Sequence, residues 1–357
     1  MDRAIDNDSW VPRCNHSDEY KFTTYNVVYG LVFIFGLLGN TGALFVFCKL
    51  SVKNRLSTIF LIHLAASDLL FILTLPFRIA FNVSQGLANS DAKAQAGSTT
   101  SYLGLACRVS TFVFYISMYC SIYFLTALSV SRYLVLAGRV RLQNSEACRL
   151  ARMLCIAIWV FVLGGMIIYL ASTSGFNIQA QGCFEPTGES WELLYHINLV
   201  VLVLGFALPL VVVLLSYALM IRHILQMQAG QRQRDVALVC LVLAVFCICF
   251  LPYHIQRTLH LYYMVHPPQD PCSQMAILQK TVVITLCFAA ANSCLDPLIF
   301  LFVGHGFIPV MKKLMAQNWW LRRKAFNSEE NSFSVSSSPA PTQLKLLKTA
   351  DRSEPID

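Results

Sequence analysis

The stretch INLVVLVLGFALPLVVVLLSYALMI, from Ile197 to Ile221, contains no charged residue. A buried helix of a large soluble core would show a polar face at a 3.6-residue period, and this stretch shows none. Its length exceeds the roughly 20 residues a helix needs to cross the hydrocarbon of a bilayer. It therefore reads as a transmembrane helix. Comparable apolar runs lie at 27–48, 57–81, 109–131, 153–172, 236–253 and 281–303. The fold class expected is an all-α membrane protein, a seven-transmembrane helix bundle.

Composition points the same way. Of 357 residues, 56% are hydrophobic and only 13% charged, against roughly 25% charge in ordinary soluble domains. Mean hydropathy is +0.57. A soluble enzyme is excluded on these grounds, and the apolar content excludes extended disorder outside the polar ends. The net charge of +8 alone would admit nucleic acid as a partner. The basic residues, however, fall in short clusters between apolar runs, with no basic arm interleaved with aromatics, so no nucleic acid binding is expected.

Those clusters orient the bundle. Lys49, Lys53 and Arg55 follow the first run, five arginines from Arg132 to Arg152 follow the third, Arg222, Arg232 and Arg234 follow the fifth, and Lys312 to Lys324 follow the seventh. The alternate connections hold Lys93 and little else basic. The positive-inside rule then puts the N-terminus outside and the C-terminus in the cytoplasm. Residues 1–24 carry no apolar h-region, so the first span is expected to direct insertion itself. Asn7 and Asn15 head Asn-x-Ser sequons and are candidate glycosylation sites, whereas Asn82 heads a third at a helix end. The expected organisation is an extracellular N-terminus (1–25), a seven-transmembrane helix domain (26–304), an amphipathic cytoplasmic helix on the membrane surface (305–320) and a disordered cytoplasmic tail (321–357).

Thirteen cysteines leave at least one unpaired. Cys14, Cys107, Cys183 and Cys272 lie in or beside outer segments, where oxidising conditions permit pairing in any of three connectivities. The others read as small apolar packing residues.

Charge at membrane depth costs several kcal/mol, which makes every intramembrane ionisable residue a candidate for function. Asp68 in the second run and Asp296 in the seventh are two such acids, with Asn40, Ser121 and Asn292 as polar neighbours from other spans. They form either a site for a small cation, with Asp68 and Asp296 as metal ligands, or a polar network that only fixes helix packing. Toward the outer ends, Arg78, Arg257 and Lys280 suggest an anionic ligand. Tyr115, Tyr119, Tyr253 and His254 at similar depth add aromatic surface and hydroxyls, the mixed lining a partly apolar ligand needs. Against this stands simple snorkelling of long basic chains to the interface. Pro76, Pro209, Pro252 and Pro297 each remove a backbone donor inside a span and mark kinks that serve a hinge or a static pore equally well.

Taken together, Gly39-Asn40, Leu64-Ala65-Ala66-Ser67-Asp68, Cys107, Ser131-Arg132-Tyr133, Trp159, Pro209 with Tyr217, Cys249-Phe250-Leu251-Pro252 and Asp296-Pro297-Leu298-Ile299-Phe300 resemble the motifs of the rhodopsin-like G protein-coupled receptors. The resemblance runs through all seven spans. Within that family the blocks PYHIQRTLHL (Pro252 to Leu261), QKTVVITL (Gln279 to Leu286) and SIYFLTALS (Ser121 to Ser129), with Cys183-Phe184-Glu185-Pro186, look like the cysteinyl leukotriene receptors.

The resemblance implies a plasma-membrane receptor for cysteinyl leukotrienes that signals through a heterotrimeric G protein with calcium mobilisation. It also implies disulfides Cys107–Cys183 and Cys14–Cys272, and a sodium ion as allosteric cofactor held by Asp68, Ser121, Asn292 and Asp296. Coupling and switching would fall to Arg132, Tyr133, Tyr217, Phe250, Pro252 and Pro297. Nucleotide receptors are close relatives in which the His254 to Arg257 spacing serves phosphates. Nucleotides or another anionic lipid are therefore the alternative ligands. From another class, an ion or proton transporter would use Asp68 and Asp296 as a relay, but the halves show no inverted repeat. A hydrolase would want Gly-x-Ser-x-Gly or a metal-binding cluster, and neither occurs.

Three positions depart from the family pattern. Ser131 stands where an acid usually precedes the arginine, which removes that ion pair and implies raised basal activity. Phe250 replaces a tryptophan, and Phe300 replaces the terminal tyrosine of the seventh-span motif. In the segment after the seventh span, Phe307, Val310, Met311, Leu314 and Met315 make one apolar face toward membrane lipids. The hydroxyls from Ser328 to Ser338 offer phosphorylation sites through which receptor kinases and arrestin would act.

Overall fold

The computed structural model describes residues 19–49, 56–90, 99–141, 144–172, 191–226, 229–266 and 271–303. Seven helical rods account for nearly all of them. They are α1 (Glu19–Lys49), α2 (Leu56–Ser90), α3 (Thr99–Leu136), α4 (Ser145–Ser172), α5 (Trp191–Leu225), α6 and α7 (Pro271–Val303). α5 is interrupted by a π-helical turn at Leu202–Ala207. α6 is built from Ala229–Ala244, a π-helical turn at Val245–Phe250, and Leu251–Val265. All seven are long and apolar enough to cross a membrane, and no strand occurs among the described residues. Asn7, Cys14, Asn15, Cys183 and the segments 305–320 and 321–357 lie outside the described residues.

The helices overrun the apolar runs. α1 begins at Glu19 rather than at residue 27, α3 at Thr99 rather than 109, and α7 at Pro271 rather than 281. Hydropathy marks the depth of lipid, whereas backbone hydrogen bonding continues into turns whose side chains are polar. At its far end α3 stops at a turn in which Gly138 takes φ +69 and the Arg139 amide donates to the Leu134 carbonyl. A side chain at 138 would be strained in that conformation.

α1 packs on α2 and α7, α2 on α3, α3 on α5, α5 on α6 and α6 on α7, closing a ring; α4 stands outside it against α2 and α3. Between apolar helices in lipid, shape and hydrogen bonds do the work that water exclusion does in soluble proteins. Asn40 Nδ2 donates to the Gly36 carbonyl in its own helix at 3.0 Å and to the Ser293 carbonyl of α7 at 2.8 Å. Trp159 Nε1 donates to His63 Nδ1 at 3.2 Å, which fastens α4 to α2. Asn198 Nδ2 donates to Thr258 Oγ1 at 2.9 Å between α5 and α6, and Gln256 Nε2 donates to the Leu278 carbonyl at 2.9 Å between α6 and α7.

Each π turn sits just ahead of a proline. In α5 the Leu208 amide bonds five residues back, to the Val203 carbonyl, and Pro209 follows. In α6 the Leu251 amide likewise bonds to the Phe246 carbonyl, and Pro252 follows. The prolines therefore mark local rewinding in α5 and α6, while Pro76 and Pro297 stay inside continuous α-helix.

Candidate functional site

Three groups of intramembrane polar residues stand at different depths. The first surrounds a cavity of ≈ 440 Å³ bounded by α3, α4, α5 and α6, on the side of the bundle away from Arg132. Of the seven residues expected to bind ligand, Tyr115, Tyr119, Tyr253 and Arg257 line it. Tyr115 and Tyr253 pair with ring centroids 6.3 Å apart. His254 lies behind this surface, buried, stacked on Phe206 at 4.5 Å and tilted against Tyr119 at 5.9 Å.

The three cations are not gathered at one point. Arg257 is in the cavity wall, whereas Lys280 has an exposed side chain. Arg78 is almost fully buried, its guanidinium 5.1 Å from the centre of the Tyr29 ring, which stacks on Tyr25 at 5.4 Å. That ring face offers the cation an attractive quadrupole inside the bundle.

The rest of the wall is mostly apolar and comes largely from α4 and α5, which the sequence did not point to. Phe161, Met166 and Tyr169 on α4, and Ile197, Asn198 and Gly205 on α5, belong to it. Asn198 had a signal, as a lone amide in an apolar run. The aromatics of α4 had none, since lipid-facing aromatics look the same in sequence. Gly205 is required by packing, because a Cβ there would stand 2.8 Å from Tyr119 Cε1. The lining also includes Ile168, Val200 and Leu204, which are exposed on the outer face of the bundle, so the cavity reaches the surface that lipid would cover.

Deeper, Asp68, Ser121 and Asp296 are completely buried and Asn292 nearly so. Asp68 Oδ1 accepts from Ser293 Oγ at 3.1 Å and from Ser121 Oγ at 3.5 Å; Asp296 Oδ2 accepts from Asn292 Nδ2 at 3.1 Å. Ser293 was missed in the sequence because serines at membrane depth are common. Asn40 faces the Ser293 backbone instead of the acids. The second oxygens, Asp68 Oδ2 and Asp296 Oδ1, accept no hydrogen bond among the described residues. Two acids at this depth are tolerable only with a cation or a proton between them, and hard oxygen donors of this kind fit a small hard cation. No group of three or more His, Cys, Asp or Glu side chains suited to a transition metal occurs among the described residues.

At the opposite end from the cavity, Arg132 and Tyr217 are buried. The Tyr217 and Ser129 hydroxyls lie 2.8 Å apart, joining α5 to α3. Ser131 Oγ donates to the Leu128 carbonyl at 2.8 Å, so it faces its own helix. Arg132 Nη2 lies 3.6 Å from Asp235 Oδ1 on α6. Asp235 is an acid at the edge of a basic segment, a signal the sequence reading passed over. Phe250 and Phe300 are fully buried; Phe250 meets Phe246 edge-on at 5.6 Å, and Phe300 meets Phe47 edge-on at 5.6 Å.

Cys107 is buried near the start of α3. Asn82 is buried in α2 and closed to a glycan.

Comparison with known proteins adds a family. The sequence profile described as "7 transmembrane receptor (rhodopsin family)" matches residues 39–300. Cysteinyl leukotriene receptor 2 of Sus scrofa is 34% identical over 305 residues, covering 84% of this chain and 84% of that receptor. Cysteinyl leukotriene receptor 1 of Cavia porcellus is 33% identical over 297 residues, 81% of this chain and 84% of that receptor. Lysophosphatidic acid receptor 6 of Mus musculus is 30% identical over 322 residues, 87% of this chain and 88% of that receptor.

Proposed function

The chain belongs to the rhodopsin family of seven-transmembrane receptors, which are receptors and not enzymes, and on that premise we propose that it responds to an anionic lipid mediator of the cysteinyl leukotriene class. One observation supports this reading above the others. The cavity places Arg257 and tyrosine side chains in a wall that is otherwise largely apolar and extends to faces of α4 and α5 that lipid would cover. A long acyl chain with a carboxylate fits such a wall. A triphosphate would leave most of it unused and lack counter-charges for its own oxygens.

In this reading the N-terminus is extracellular and the C-terminus cytoplasmic, the orientation that the basic clusters favour. The ligand's charged end meets Arg257, with Arg78 and Lys280 as further cations along its path, and its chain runs past Tyr115 and Tyr119. Shifting a two-state receptor from 1:99 to 99:1 needs ~5.5 kcal/mol of differential affinity, which charge-assisted bonds and apolar burial together supply. Rearrangement of α6 at its π turn then opens the end that carries Arg132 to a heterotrimeric G protein, the partner the family implies. Asp68, Ser121, Asn292 and Asp296, with Ser293, hold a sodium ion that favours the silent state. Cys107–Cys183 and Cys14–Cys272 close the outer loops, glycans occupy Asn7 and Asn15, and receptor kinases and arrestin act on the Ser-rich tail.

The mouse lysophosphatidic acid receptor supports a second reading, in which the anionic lipid carries a phosphate. The deciding experiment is calcium release in cells expressing the chain, challenged separately with cysteinyl leukotrienes, lysophosphatidic acid and nucleotides, against untransfected cells. A response to leukotrienes alone supports the first reading, a response to lysophosphatidic acid alone the second. A response to nucleotides alone overturns both and makes His254 to Arg257 a phosphate-binding pair.

A further inference from the structure

Two hydroxyls on the cavity wall spend their hydrogens on backbone carbonyls. Tyr123 donates to Leu204 at 2.8 Å and Ser172 to Ile168 at 2.9 Å. Asn198 is placed differently. Its Nδ2 donates to Thr258 Oγ1 at 2.9 Å, and its side chain makes no other hydrogen bond among the described residues. The Thr258 hydroxyl gives its own hydrogen to the His254 carbonyl at 2.9 Å, so towards Asn198 it can only accept. That settles which end of the amide faces α6: the nitrogen. Oδ1 and the second N–H are left for the cavity, in a stretch of α5 whose other lining residues, Leu194, Ile197, Val200 and Val201, are apolar.

Thr258 directly follows Arg257, and consecutive side chains on an α-helix diverge by about 100°. Asn198 therefore stands on the α5 side of the arginine that lines the cavity. An acceptor and a donor side by side in an apolar wall call for one group that is both. A hydroxyl is such a group, whereas an N–H meets only the acceptor and a methylene meets neither. A ligand that brings a methylene there buries the amide unsatisfied and is penalised for it.

We propose that Asn198 is a specificity-determining residue: it binds a hydroxyl that the anionic lipid carries a few bonds from its acid group, and so separates hydroxylated lipid acids from plain fatty acids. The inference rests on the anionic-lipid reading and narrows it. Cysteinyl leukotrienes and lysophosphatidic acid both carry a hydroxyl near an acid, so it holds for either.

The test uses the full chain in cells and reads calcium release at matched surface expression. The probes are a cysteinyl leukotriene, lysophosphatidic acid, and the analogue of each in which that hydroxyl is replaced by hydrogen. At the unsubstituted receptor, the analogue of whichever lipid is active should lose about tenfold or more in potency. In Asn198→Leu the hydroxylated lipid should fall to the level of its analogue, with the two agreeing to within about twofold. Loss of the tie to Thr258 alone would weaken both lipids equally and preserve their ratio, so a preserved ratio overturns the proposal. Equal potency of lipid and analogue at the unsubstituted receptor overturns it as well, needs no variant that folds, and leaves the anionic-lipid reading standing. A receptor that answers neither lipid overturns that reading and this inference with it.

Discussion

The Tyr123 hydroxyl of α3 donates to the Leu204 carbonyl of α5 at 2.8 Å, and the pairing follows from the backbone of α5. The α-helical donor for that carbonyl would be the Leu208 amide, which the π turn diverts to Val203. The π-helical donor would be residue 209, a proline with no N–H. The carbonyl is thus orphaned in a place without water, and a side chain from the next helix fills it.

Tyr123→Phe should therefore destabilise the receptor by about 1–2 kcal/mol, because the carbonyl loses its donor while the ring stays. The edge-on contact between the Tyr123 ring and Phe161, at 5.5 Å, survives the change and separates the hydrogen bond from packing. Thermal unfolding of the detergent-solubilised chain is the measurement, and an unchanged midpoint would refute the account.

Gly39→Ala should be poorly tolerated. A Cβ at 39 would stand 2.6 Å from Pro297 Cγ and 2.8 Å from Pro297 Cβ, and a proline ring has no rotamer by which to withdraw. α1 and α7 would part, straining the Asn40 to Ser293 hydrogen bond, at a cost of roughly 1–3 kcal/mol. Gly42→Ala is the control, since nothing lies within 4 Å of a Cβ there. Surface expression should fall for the first and hold for the second.

Arg257 and Lys280 should separate in ligand response. Arg257 lines the cavity, and losing one charge-assisted hydrogen bond costs roughly 1.5–3 kcal/mol, or about 10- to 150-fold in potency. Lys280 is exposed, so its replacement by Ala should shift potency by less than about threefold. Dose–response curves for the two Ala variants at matched surface expression check this, and equal shifts would place the anion elsewhere.

Sodium should weaken agonist binding in the unsubstituted receptor and lose that effect in Asp68→Asn. The variant removes the negative charge of Asp68, whose Oδ2, like Asp296 Oδ1, accepts no hydrogen bond among the described residues, while keeping a group of the same shape. Agonist competition measured in sodium chloride against choline chloride reads the difference. A sodium effect that survives in the variant would reduce the acid pair to a packing network.

By itself the sequence determined the seven spans, and the physical reason is one-dimensional: lipid leaves a run of apolar residues as long as the membrane is thick, wherever the chain goes next. It also determined the depth of Asp68, Asp296, Arg132 and the four prolines, because depth follows from position in a run. The partners were decided by tertiary structure. Arg78, Arg257 and Lys280 lie at similar depth in sequence, yet one is buried against Tyr29, one lines the cavity and one is exposed, since the rotation of each helix decides which way its side chains face. Hydropathy is blind to that rotation when every face is apolar. The same blindness hid the contribution of α4 and α5 to the cavity and the approach of Asp235 to Arg132, which needed two distant helices side by side. Nor did spacing reveal the π turns, which arise where a missing proline amide and the packing of neighbouring helices together make rewinding the lower-energy path.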